Sequence, residues 1–227
     1  MPFQELHRKV ARIALRAAAQ HGFALAGGNA LMADGVVDRF TEDVDLFTDD
    51  EAGVQAAAAK IEKALYSEGY TTCREDKTAG LSEIFEGMGE GLAEWTVTSP
   101  DGSQTMMLQL AYFDRTQEPV SLDGDMGPVL AIEDVIGGKA AAAASRAYPR
   151  DFLDLAAILR LYPVHQVLEY ARLIDPGLDD ADFAEAGCTL DELDDLAFAR
   201  YGLGTAEVAQ LRAQFADWPR TAPPRAG

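Results

Sequence analysis

The 227-residue chain is 48% hydrophobic, enough for a substantial core, and carries a formal net charge of −19 with a pI near 4.4. So acidic a composition argues against tracking a long polynucleotide over the whole surface, which requires Lys and Arg to neutralise phosphates. No stretch of about 18 uncharged apolar residues is present, and Met1-Pro2-Phe3-Gln4-Glu5 lacks the charged-then-apolar layout of a signal peptide, so a cytoplasmic protein with no membrane partner is expected. Cys73 and Cys188 are far apart and His7, His21 and His165 are scattered, which fits reduced thiols and offers no zinc-ligand spacing.

In chain order, Leu6, Val10, Ile13, Ala14 and Ala17 recur at helical spacing between Phe3 and Gln20, and His21-Gly22 is a stop. Phe23-Ala24-Leu25-Ala26 is an apolar strand candidate ending at Gly27-Gly28. A second strand, Asp43-Val44-Asp45-Leu46-Phe47, alternates with period two. Thr48-Asp49-Asp50 offers an N-cap for a helix to about Ser67. Strand candidates follow at Tyr70–Arg74, Leu81–Glu86 and Leu92–Thr98. Ser99-Pro100-Asp101-Gly102 then turns the chain into Thr105–Phe113.

This order predicts an α+β domain over residues 1–128: a mixed twisted sheet with flanking helices and the acids near one edge. Residues 129–218 predict a helical region, with helices at Ala131–Ala147, Pro149–Leu161, Val164–Leu173, Asp179–Ala186, Leu190–Tyr201 and Thr205–Phe215. Residues 219–227 are expected to be a disordered tail.

Asp43 and Asp45 leave one face of their strand, roughly 6.5–7 Å apart between Cα atoms. Two acids so placed can share a divalent ion such as Mg²⁺ or Mn²⁺, with phosphate oxygens completing the shell. Gly27 and Gly28, lacking Cβ atoms, allow close approach of a ligand to the backbone, and exposed amides there can hold phosphates. The Asp-x-Asp spacing alone is weak, because Asp123-Gly124-Asp125 and Asp180-Ala181-Asp182 share it; these read as a turn and a solvated helix start. Gly137-Gly138-Lys139 is not a phosphate-binding P-loop, since Glu133 and Ala140 occupy positions needing glycine and a hydroxyl. Lys139, Arg146, Arg150, Asp151 and Asp154 read in isolation as surface ion pairs between helices.

Gly27-Gly28-Asn29-Ala30-Leu31 followed by Arg39-Phe40-Thr41-Glu42-Asp43-Val44-Asp45-Leu46-Phe47 resembles the first motif of the AbiEii/AbiGii toxin family of nucleotidyltransferases, within the DNA polymerase beta-like superfamily. Asn29 departs from it, because a small hydroxyl residue is common there. Lys139, Ala142 or Ala143, Arg146 and Arg150-Asp151-Phe152-Leu153-Asp154-Leu155 are similar to a late motif of the same family. The superfamily usually places a third carboxylate on a later strand, where this chain has Gln109; either Asp114 or an acid of the late motif supplies the missing charge, or the chain binds nucleotide without turning it over.

The resemblance implies an enzyme that transfers a nucleoside monophosphate from Mg-NTP to an acceptor hydroxyl on tRNA, protein or a small molecule. Asp43 and Asp45 would hold the metal, and Gly27, Gly28 and Asn29 the phosphates, with help from Arg39 and Arg150. Lys139 would neutralise the triphosphate, and Asp154 or Asp151 would orient the acceptor. A cognate antitoxin is the implied partner. The alternatives are a catalytically silent binding protein of the same fold, signalled by Gln109, and a glycosyltransferase, which would need more strands before the acids.

Overall fold

The computed structural model describes residues 5–38, 41, 43–75, 91–122 and 126–222. The chain divides into two compact units, Met1–Ala131 and Ile132–Gly227.

The first unit begins with α1 (Glu5–Ala17) and a single 3-10 turn (Ala19–His21), then β1 (Ala24–Leu25), α2 (Gly27–Ala33), β2 (Asp43–Thr48) and α3 (Glu51–Ser67). Asp50 caps α3, its side chain accepting from the Gly53 amide at 3.0 Å. Strands β3 (Thr71–Glu75), β4 (Leu92–Thr98), β5 (Thr105–Tyr112), β6 (Val120–Ser121) and β7 (Pro128–Val129) follow. Among the described residues seven strands form one mixed sheet in the order β3-β4-β5-β2-β1-β7-β6.

That order corrects one expectation: β2, with both acids, is the central strand and not near an edge. The displacement comes from β6 and β7, two-residue strands too short to show a period in the sequence. Val129 pairs in parallel with Leu25, and the Leu130 amide donates to Leu25 O, which extends the sheet beyond β1. Leu81–Glu86 and Asp123-Gly124-Asp125 lie outside the described residues.

The two faces of β2 differ by alternation. Val44 and Leu46 are fully buried, and Val44 shares a row with Leu108 and Trp95 across β5 and β4. Helix α3 covers this apolar face with Val54, Ala57, Ile61 and Leu65, and Trp95 Nε1 donates to Glu62 Oε1 of that helix at 2.6 Å. Asp43, Asp45 and Phe47 take the opposite face and are half-buried.

The second unit is helical throughout its described residues: α4 (Ile132–Arg146), α5 (Pro149–Ile158), α6 (Val164–Ile174), α7 (Asp180–Glu192), α8 (Leu196–Ala199) and α9 (Thr205–Gln214). Its core centres on Phe152, Phe183, Phe215 and Trp218, stacked edge to face at centroid distances of 5.6–6.2 Å. Gly137 lies against the Tyr170 backbone of α6, so that α4 and α6 approach closely. Asp180-Ala181-Asp182 is a helix start: Asp179 accepts from the Ala181 and Asp182 amides, while Asp182 accepts from the Asp179 amide.

Two expectations change here. The helix expected over Leu190–Tyr201 is broken, because α7 continues to Glu192 and Leu193 leaves it with ψ 131. Arg212 of α9 stabilises the break, donating to Leu190 O and Leu193 O and pairing with Asp195. The tail expected to be disordered from Pro219 is held at Arg220, whose guanidinium binds both Asp191 oxygens; residues 223–227 lie outside the described residues.

Candidate nucleotide site

The geometry around β2 follows from the join between β1 and α2. The Ala26 amide donates to Asp45 O at 2.8 Å, placing Gly27 directly beside the second acid. Gly27 has φ +60, and a Cβ there would overlap Asp45 Oδ2 and stand 2.9 Å from its Cγ. The glycine is therefore required twice, for a left-handed backbone and for the space that the Asp45 carboxylate fills. The missing Cβ at residue 27 leaves the volume that the Asp45 carboxylate occupies. Gly28 is buried in the first turn of α2, which has no side-chain cap at Ala26.

Asn29 is fully buried and its side chain is committed to the fold. Its Nδ2 donates to Asp43 O at 2.6 Å, and its Oδ1 accepts from Thr41 Oγ1 at 2.6 Å. The Asn29 side chain thus braces the approach to the first acid from within the core. A buried backbone carbonyl needs a donor, and a side chain that supplies one here is not offered to a ligand.

Across the sheet, Asp45 is in register with Gln109 of β5, and Gln109 with Glu94 of β4. Gln109 Nε2 donates to Glu94 Oε1 at 2.8 Å, and Glu94 is only 6% exposed. Among the described residues no group of three or more His, Cys, Asp or Glu side chains is arranged to hold a metal ion. The donor set of Asp43 and Asp45 still suits a hard ion that takes one or two carboxylates and completes its shell with phosphate oxygens and water.

In the helical unit, Lys139 of α4 pairs with Asp154 of α5 at 2.8 Å, the acid being 4% and the lysine 22% exposed. Arg146 forms a two-pronged pair with Asp151, at 2.9 Å from Nε and 2.7 Å from Nη2. The Asp151 hydrogen bond holds the Arg146 guanidinium above its ordinary pKa, against the cost of burial. Asp151 also accepts from the Tyr148 amide, tying down the start of α5. Ala147 makes the tight link between the helices with φ 49, the only non-glycine positive φ among the described residues. Read in isolation as surface pairs, these two prove to have buried acids, each joined to a cation on the preceding helix; Arg150 is exposed.

A family model for the nucleotidyl transferase AbiEii toxin of type IV toxin-antitoxin systems matches residues 9–217. The chain belongs to the AbiEii family. Among solved structures, this AbiEii chain is similar to MenT4, a nucleotidyltransferase toxin from Mycobacterium tuberculosis H37Rv, with a TM-score of 0.61 and 17% identity over 93% of this chain and 82% of that one. It is also similar to JHP933 from Helicobacter pylori, with a TM-score of 0.59 and 18% identity over 94% and 91% of the two chains. At such identities the likeness establishes the fold. No match was found among curated protein sequences.

The AbiEii fold brings Gly27, Asp43 and Asp45 together in the sheet unit, and Lys139, Arg146, Asp151 and Asp154 together in the helical unit. Arg39 lies outside the described residues. Glu94 was missed in the sequence because Ala93-Glu94-Trp95 presents one acid in an apolar strand. Its significance depends on register with Gln109, which no local pattern encodes. Among the described residues no helix is long and apolar enough to cross a membrane.

Proposed function

We propose that this AbiEii chain transfers a nucleoside monophosphate from Mg²⁺-NTP, or Mn²⁺-NTP, to an acceptor hydroxyl, as the toxin of a pair with a cognate antitoxin. The observation that carries the reading is the placement of Asp43 and Asp45 on one face of the central strand, with Asp45 fitted against Gly27. Asp43 and Asp45 would hold the divalent ion, which when bound polarises phosphoryl oxygens and offsets their charge. The acceptor hydroxyl would give up its proton to water as its oxygen forms a bond to the α-phosphorus and the bond to pyrophosphate breaks. Asn29 and Gly27 act before chemistry, fixing the two acids.

Lys139 is assigned to phosphate charge and Asp154 to acceptor orientation, on the order of the late motif and on their pairing. Arg150 and Arg39 add positive charge, and backbone amides at Gly27 and Gly28 bind phosphate oxygen. The acceptor is a hydroxyl of tRNA, protein or a small molecule. Incubation with each α-labelled NTP and these three acceptor classes tests the reading: label transfer by wild type, lost in the Asp43→Ala/Asp45→Ala variant, is the expected result.

A second reading is a nucleotide-binding protein of this fold without turnover. It is favoured by the amide of Gln109 where Asp45 has its register partner. It predicts metal-dependent NTP binding with no label transfer to any acceptor, and transfer switched on by Gln109→Asp.

A further inference from the structure

The acid-bearing face holds a polar row that crosses three strands: Asp45 on β2, Gln109 on β5 and Glu94 on β4. Neighbouring strands are about 4.8 Å apart, so Gln109 is within side-chain reach of both acids. A carboxamide has one donor end and one acceptor end, and a carboxylate only accepts. Because Gln109 Nε2 donates to Glu94 at 2.8 Å, the nitrogen of that amide is committed to the β4 side of the row. The carbonyl oxygen is the end that remains, and the other polar neighbour in the row is Asp45.

We propose that Gln109 supplies a neutral oxygen ligand to the divalent ion held by Asp43 and Asp45, and that buried Glu94 is the positioning residue that sets the Gln109 amide for this task. The inference rests on the metal-bearing reading of the Asp43–Asp45 face. With two charged ligands and one neutral one, the site attracts a free cation weakly and fills its shell with phosphate oxygens, so metal and NTP load together.

The test is a Mn²⁺ titration followed by electron paramagnetic resonance, with and without a non-hydrolysable NTP analogue. The proteins are wild type, Asp45→Asn, Glu94→Gln and the exchange variant Glu94→Gln/Gln109→Glu. The exchange keeps an amide-to-carboxylate hydrogen bond between the strands and moves the charge next to Asp45. Wild type is expected to bind Mn²⁺ at least about tenfold more tightly with the analogue than without it. The exchange variant is expected to bind Mn²⁺ without nucleotide about tenfold more tightly than wild type. Glu94→Gln, which leaves the Gln109 amide free to turn, is expected to weaken binding of Mn²⁺ with the analogue about three- to tenfold. Circular dichroism confirms that each variant is folded, and Glu94→Gln alone decides the matter if the exchange variant is not. Metal binding lost in Asp45→Asn but unchanged by the Glu94 and Gln109 substitutions would overturn this proposal and leave the metal-bearing reading standing. No Mn²⁺ binding by wild type under either condition would overturn both.

Discussion

Asp45 and Gly27 fill one another's space: the carboxylate of the acid occupies the volume that any side chain at residue 27 would need. Gly27→Ala therefore meets both an overlap and a strained φ of +60. A loss of about 1–3 kcal/mol is expected in urea denaturation. The loss should be smaller in an Asp45→Ala background, where only the backbone strain remains. Equal losses in the two backgrounds would show that the Asp45 carboxylate plays no part in the requirement for glycine.

Asn29→Ala removes the donor to Asp43 O and the acceptor for Thr41 Oγ1 in a fully buried setting. The expected cost is about 2–4 kcal/mol, because two groups lose partners at once. Thr41→Val, which removes only the hydroxyl, should cost less. Thermal unfolding of the two variants checks the order.

Much of the fold was legible in the sequence. β4 matches its expected bounds and β2 extends one residue beyond them, because each carries a period-two or continuous apolar signal over six or seven residues. Helices α3, α4 and α6 are likewise within about one residue of expectation at each end. What was not legible depended on partners distant in sequence. The central position of β2 follows from two-residue strands recruited beyond β1, and the break after Glu192 from Arg212, twenty residues later. At the candidate site the acids were evident from alternation. The commitment of Asn29 to the fold and the entry of Glu94 were not, since both arise from cross-strand or loop contacts.

The Lys139–Asp154 pair separates stability from chemistry. Lys139→Met leaves a buried carboxylate without its cation and is expected to cost about 3–5 kcal/mol. Lys139→Met/Asp154→Leu should recover most of that stability, because an apolar pair can replace a buried ionic one. If the two residues act on phosphate and acceptor, the double variant remains without label transfer despite its recovered fold. Transfer by a stable double variant would assign the pair to the fold alone.

Asp101, in the turn between β4 and β5, accepts from the Ser99 and Ser103 hydroxyls and the Ser103 amide, which lower its pKa from 3.8 to about 2. A depressed folded-state pKa means that the turn is favoured above the unfolded value, and that this contribution is lost as the pH falls from about 4 through about 2. A carboxyl-carbon NMR titration should show Asp101 titrating near pH 2. Ser99→Ala/Ser103→Ala should move it back toward the ordinary range; an unchanged midpoint would show that the hydroxyls are not the cause.

Every role proposed for the site depends on the Asp43–Asp45 face binding a metal-nucleotide pair. The decisive experiment is calorimetric titration of the four NTPs, with and without Mg²⁺, into wild type and the Asp43→Ala/Asp45→Ala variant. Binding of at least one NTP that requires Mg²⁺ and is lost in a folded variant is the expected result. Binding that persists in the variant, or a folded wild type that binds no NTP with Mg²⁺ present, would contradict it.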